Sequence, residues 1–134
     1  MTPALSYVIP CGGWRHVARV ADCLLAQEER GSIELVLAGP ASIEDEIPAH
    51  ARERFWGVNV VDADPHALHE ARAAGLLAAS APVAIVGETH CYPQPGWARA
   101  FIDAFAEGTW DAVGPQISNA NPATGLSWAN LSLD

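Results

Sequence analysis

An α/β fold with a mostly parallel central sheet and helices on both faces is what this sequence predicts, on three observations. Short continuous apolar runs recur at residues 5–9, 33–37, 58–61 and 82–86, as expected of strands buried on both faces. Amphipathic or alanine-rich stretches of helical length lie between them, and turn residues punctuate nearly every joint. Strand and helix therefore alternate, which calls for right-handed crossovers and a parallel sheet.

Residues 5–9 end at Pro10, Cys11, Gly12 and Gly13, where a tight turn is expected. Val17, Val20, Ala21, Leu24 and Leu25 then recur at helical spacing, predicting a helix from residue 14 to about residue 29 that Gly31 and Ser32 break. Strand two, residues 33–37, stops at Ala38-Gly39-Pro40. Ser42 is a candidate cap for a third helical element over residues 43–55, which Pro48 should restrict or bend. After strand three, Asp64 as cap and Pro65 as first helical residue predict a helix running to Ala79. Strand four follows. Pro95-Gly96 opens a helix ending near Gly108, with Trp97, Phe101, Ile102 and Phe105 on one stripe, and residues 110–117 read as a fifth strand.

The chain has 134 residues, the size of one domain, and 50% of them are hydrophobic. No apolar run approaches the ~20 residues of a membrane span, and Met1-Thr2-Pro3 leads into a strand without a basic start, so a soluble, unexported protein is expected. Three cysteines at wide spacing, Cys11, Cys23 and Cys91, argue against a disulfide framework and fit reduced thiols in the cytoplasm. The net charge of −9 sets 16 acidic residues against seven arginines, with no lysine, which excludes nucleic acid as an expected partner. An anionic substrate would need a bridging cation; the charge serves solubility equally well. The partly apolar tail at residues 131–134 suggests an incomplete domain whose uncovered surface would drive homo-oligomer formation or be covered by further chain.

Chemistry is expected beyond the carboxyl ends of the strands. There Glu88 and His90 stand one residue apart after strand four, and period two places both side chains on one side if the extended geometry continues through Thr89. A carboxylate beside an imidazole suits a divalent cation, with Mg2+ or Mn2+ favouring the oxygen and Zn2+ accepting both. A surface carboxylate and a solvated histidine at an ordinary strand exit fit the same spacing. In a sheet of order 3-2-1-4, Cys11 and Cys91 follow neighbouring strands and, with His90, would make a soft metal site or redox pair; small buried thiols are the plainer account. His16, His50, His66 and His69 are expected on exposed helix positions, the last two on one face. Neither the Gly-x-Gly-x-x-Gly fingerprint nor a phosphate loop with lysine is present, and no Gly-x-Ser-x-Gly elbow occurs.

Taken together these segments resemble the family 2 glycosyltransferases, which have the Rossmann-like nucleotide-diphospho-sugar transferase (GT-A) fold. The resemblance covers the whole chain as one nucleotide-sugar-binding domain, residues 1–134, truncated before the acceptor-binding half. Ser6-Tyr7-Val8-Ile9-Pro10 resembles the family's opening strand, Glu34-Leu35-Val36-Leu37 its second, and Ala71-Arg72-Ala73-Ala74-Gly75, in part, its Ala-Arg-Asn-x-Gly helix. Val86-Gly87-Glu88-Thr89-His90 takes the place of the Asp-x-Asp motif, and Pro93-Gln94-Pro95-Gly96-Trp97 looks like the run that starts the next helix. By that resemblance Glu88 and His90 would meet Mg2+ or Mn2+ and the diphosphate. Pro10, Cys11, Gly12 and Arg72 would line the nucleotide pocket, and an acceptor hydroxyl, activated by a base beyond residue 134, would displace the nucleoside diphosphate. The chain departs from the family at Ala38-Gly39-Pro40-Ala41-Ser42, where base-reading acids are usual, at Ala73 in place of asparagine, and at His90 in place of an acid. A non-catalytic descendant that binds a ligand or partner protein, and a Cys/His metal or redox module, remain the alternatives.

Overall fold

The structure is a computed structural model and describes residues 1–131; residues 132–134 of the expected apolar tail lie outside the described residues. Four strands, β1 (Leu5–Pro10), β2 (Ile33–Gly39), β3 (Gly57–Asp62) and β4 (Val83–Val86), form one sheet in the order β3-β2-β1-β4. All pairings are parallel, with Leu5 opposite Ile33 and Val83, and Glu34 opposite Gly57. The two central strands are buried along their whole length, which is why they read as unbroken apolar runs.

Right-handed crossovers decide which helix covers which face. Helices α1 (Trp14–Leu25), α2 (Ala49–Arg54) and α4 (Trp97–Ala106) pack on the side that carries Leu5, Tyr7, Ile9, Leu35 and Leu37. Val17, Val20, Ala21, Leu24 and Leu25 of α1 are buried there, as their spacing predicts. Helix α3 (Leu68–Ala78), which links β3 back across the sheet to β4, covers the other side. It comes so close to β1 that a Cβ on Gly75 would collide with Val8. A last helix, α5 (Gly125–Leu131), follows a coil. No helix among the described residues is long and apolar enough to cross a membrane.

Several expected boundaries shift for local reasons. Helix α1 stops at Leu25 because the Gln27 N–H donates to Leu24 O, closing a tighter turn, and Gln27 turns its side chain to other work. The element expected over residues 43–55 is split: Ala41–Glu46 is a 3-10 helix, Pro48 stands before α2, and Ser42 makes no cap. Asp64 starts a turn rather than α3, its Oδ1 accepting the His66 N–H at 2.9 Å. His66 therefore precedes the helix and shares no helical face with His69, although all four histidines named above are exposed. The expected fifth strand is absent: residues 110–117 pair with nothing in the sheet, and Trp110 and Ile117 are 58% and 62% exposed. Gly114-Pro115 interrupts the run, since proline cannot donate to a ladder.

Candidate functional site

β4 ends at Val86, and the chain turns at once, with the Cys91 N–H donating to Glu88 O at 3.3 Å. The extended geometry assumed through Thr89 is thus replaced by a turn, yet Glu88 and His90 still converge, with Nε2 of His90 3.1 Å from Oε2 of Glu88. Gly87 makes the turn's entry possible, because a Cβ there would run into the Tyr7 ring. Downstream, the guanidinium of Arg19 lies 3.9 Å above the Tyr92 ring, and Trp97 packs edge-on against Tyr7. Buried Gln27 completes the anchorage: its Nε2 donates to Gln94 O and Cys23 O, and its Oε1 accepts the Ala98 N–H. A mobile-looking, Pro-rich sequence is therefore held from both sides.

Helix α3 delivers Arg72 to this turn, where its Nη2 donates to Glu88 Oε1 at 2.9 Å. Glu88 is thus oriented with one oxygen on Arg72 and the other toward His90. The Nε of Arg72 is buried without an acceptor among the described residues. Such a donor is costly to leave unpaired, by about 1–3 kcal/mol. Pro10, Leu68, Arg72, Gly87, Glu88, Thr89 and His90 line a cavity of about 170 Å³.

A second, open cavity of about 550 Å³ lies at the exits of β1, β2 and β3, lined by Gly12, Pro40, Asp62, Ala63, Asp64, Pro65 and His66. Sequence reasoning reads neither acid as a site residue, although Asp62 closes β3 and Asp64 lies just beyond it, as Glu88 lies just beyond β4; the strand-end rule would have found them. At the end of β2 no side chain fits, since a Cβ on Gly39 would collide with Cys11 O. The N-terminus of α1 is also taken, because the Trp14 N–H donates to Glu46 Oε2 at 2.8 Å.

Of the residues expected at the site, Pro10, Arg72, Glu88 and His90 surround one cavity and Gly12 lines the other. Cys11 lines neither; it is 3% exposed in the core, where burial pushes its thiol up to about 11. All three thiols are free. Buried Cys11 fits the plainer account of a small core thiol and does not join His90 and Cys91 in a soft cluster; the ligand atoms that lie within 4.8 Å of one another are those of Glu88, His90 and Cys91. Burial, then the Glu88 carboxylate, pushes the Cys91 thiol above its ordinary value.

One carboxylate oxygen and one imidazole nitrogen, donor types that suit a divalent cation, stand adjacent at this turn. Compared with protein-family models and with curated proteins, the chain matches no family model and no curated protein significantly.

Proposed function

We propose that the carboxyl edge of the sheet binds a nucleotide-diphospho-sugar, and that the domain presents this donor for transfer of the sugar to an acceptor hydroxyl. The observation that carries the reading is Arg72, which lines the small cavity beside β4, pairs with Glu88 and keeps a buried Nε–H without an acceptor among the described residues, while a larger cavity lies at the exits of β1, β2 and β3. Ligands of open α/β sheets bind at such a crevice, here where the chain reverses from the β1-β2-β3 direction to β4.

In this arrangement Arg72 donates Nε–H to a phosphate oxygen while its Nη2 keeps Glu88 in place. Asp62 and Asp64 offer acceptors to the N–H groups of a base in the larger cavity, a role the β2 exit cannot fill at Gly39. Glu88 and His90 would hold the divalent cation. Once bound, that ion neutralises the charge that develops on the diphosphate leaving group. With a net charge of −9, the chain needs such a cation near a polyanion.

Binding without transfer is the second reading, favoured by the partners Glu88 already has in Arg72 and His90. Calorimetric titration of UDP, GDP and their sugars, with and without Mn2+, tests both. Mn2+-dependent binding lost in Glu88→Ala supports the nucleotide site, and sugar transfer to an added acceptor separates the two readings. A folded sample that binds none of these nucleotides sinks the proposal.

A further inference from the structure

We propose that Glu88, His90 and Cys91 form a three-donor site for a borderline divalent cation of the Zn2+ class, with a fourth coordination position left for an anionic ligand. The proposal extends the metal-binding part of the reading above and does not depend on its nucleotide part. It departs from the expectation of Mg2+ or Mn2+ because of Cys91, the one donor that a hard ion rejects.

The donor set spans three chemistries within one turn: a carboxylate oxygen, an imidazole nitrogen and a thiol sulfur, all within 4.8 Å. Two ligands about 2.1 Å from a tetrahedral ion stand about 3.4 Å apart, so the 3.1 Å between Glu88 Oε2 and His90 Nε2 already matches. The Cys91 sulfur lies within 4.8 Å of both on a free, exposed side chain. The Cys91 N–H bond to Glu88 O closes the turn that brings the three together.

Arg72 supplies what such a site needs from its surroundings. By bonding Glu88 Oε1 it orients the carboxylate and leaves Oε2 toward His90. Three protein ligands with an open fourth position is the arrangement of a zinc ion that takes an exogenous ligand. Glu88, His90 and Arg72 all line the 170 Å³ cavity, so an anion there would meet both ion and guanidinium. On binding, the Cys91 thiol proton passes to buffer as the sulfur–metal bond forms, with no change in oxidation state.

The test uses the full 134-residue chain with Zn2+ alone in calorimetry and Co2+ alone in absorption spectroscopy. Co2+ should produce a near-ultraviolet thiolate-to-metal charge-transfer band that vanishes in Cys91→Ser and persists in Cys23→Ser. Zn2+ affinity should fall by more than about 100-fold in Cys91→Ser and His90→Ala, beyond the 10–100-fold expected when an orienting partner is lost, as in Arg72→Gln. Circular dichroism checks that the variants fold. A band that survives in Cys91→Ser, or Zn2+ binding as tight in that variant as in the wild type, overturns the proposal; so does the absence of Zn2+ binding in folded wild type. Mn2+-dependent UDP binding that persists in Cys91→Ser, without Zn2+ binding, refutes the thiol ligand and spares the nucleotide reading. Zn2+ bound through Cys91 with no nucleotide binding does the reverse.

Discussion

Two glutamates on the α3 side of the molecule, one near each end of the sheet, show how the same side chain serves opposite ends. Near the amino end, Glu34 is 5% exposed, and its Oε2 accepts the Ser6 hydroxyl and the Ser80 N–H, the latter at 2.9 Å. Ser6 Oγ in turn accepts the Ala81 N–H, so a closed network ties β1 and β2 to the loop between α3 and β4. At the carboxyl end, Glu88 is half-exposed, and its neighbour Arg72 keeps a buried donor unpaired. The first network uses its polar groups to close the fold. The second leaves capacity for something else, which is where a ligand is expected.

Breaking the closed end should have the largest effect on stability. Glu34→Ala strands the Ser80 N–H and the Ser6 hydroxyl and removes a charge-assisted pair of bonds, so unfolding in urea should show a loss of about 3 kcal/mol. Ligand affinity per folded molecule should stay as in the wild type. Gly87→Ala tests the rigid frame under the open end: the added Cβ meets the Tyr7 ring, costing about 1–3 kcal/mol and displacing Glu88, so stability and Mn2+ or Zn2+ binding should fall together. Arg72→Gln separates the two ends most cleanly. Its ion pair with Glu88 is partly exposed and worth about 0–1 kcal/mol, so denaturant midpoints should barely move while nucleotide binding is lost.

A smaller effect concerns the thiol that the core withdrew from the site. Cys11 ionises at its ordinary value of 9.0 when unfolded and near 11 when folded. Its contribution to stability is complete below pH 9 and is lost as pH rises toward 11, because the unfolded chain then binds fewer protons than the folded one. Stability measured over that window should decline, with a shallower slope in Cys11→Ala. Tyr7, whose burial raises its phenol above the ordinary value, acts in the same direction at the upper end of the window.

Apolar runs and helical periodicity made most of the fold legible. β1 and β2 carry side chains buried on both faces, and α1 has a single apolar stripe, so local pattern and final environment agree. The pattern misled where a turn residue outweighed it. Gly114-Pro115 lies within the run that reads as a fifth strand, and Pro48, expected to restrict or bend its element, divides it. At the site, the meeting of Glu88 with His90 was legible from spacing, although a turn rather than extended backbone brings it about. The partnership of Arg72 with Glu88 was not, because it joins residues 16 apart through the packing of α3 on the sheet.

The sequence by itself determined the alternation of strands and helices and the parallel sheet, and with them the carboxyl edge at which a ligand is expected, since the first two follow from periodicity and from the handedness of crossovers. Only the tertiary structure decided which groups share that end. It buried Cys11 beneath the β1 exit and brought Cys91 to Glu88 and His90. It also placed Asp62 and Asp64 of the β3 exit beside the larger cavity, while Gly39 leaves the β2 exit no room for a side chain. The reason is physical: spacing along a chain sets which way a side chain points, whereas its neighbours across a sheet are set by packing at van der Waals contact.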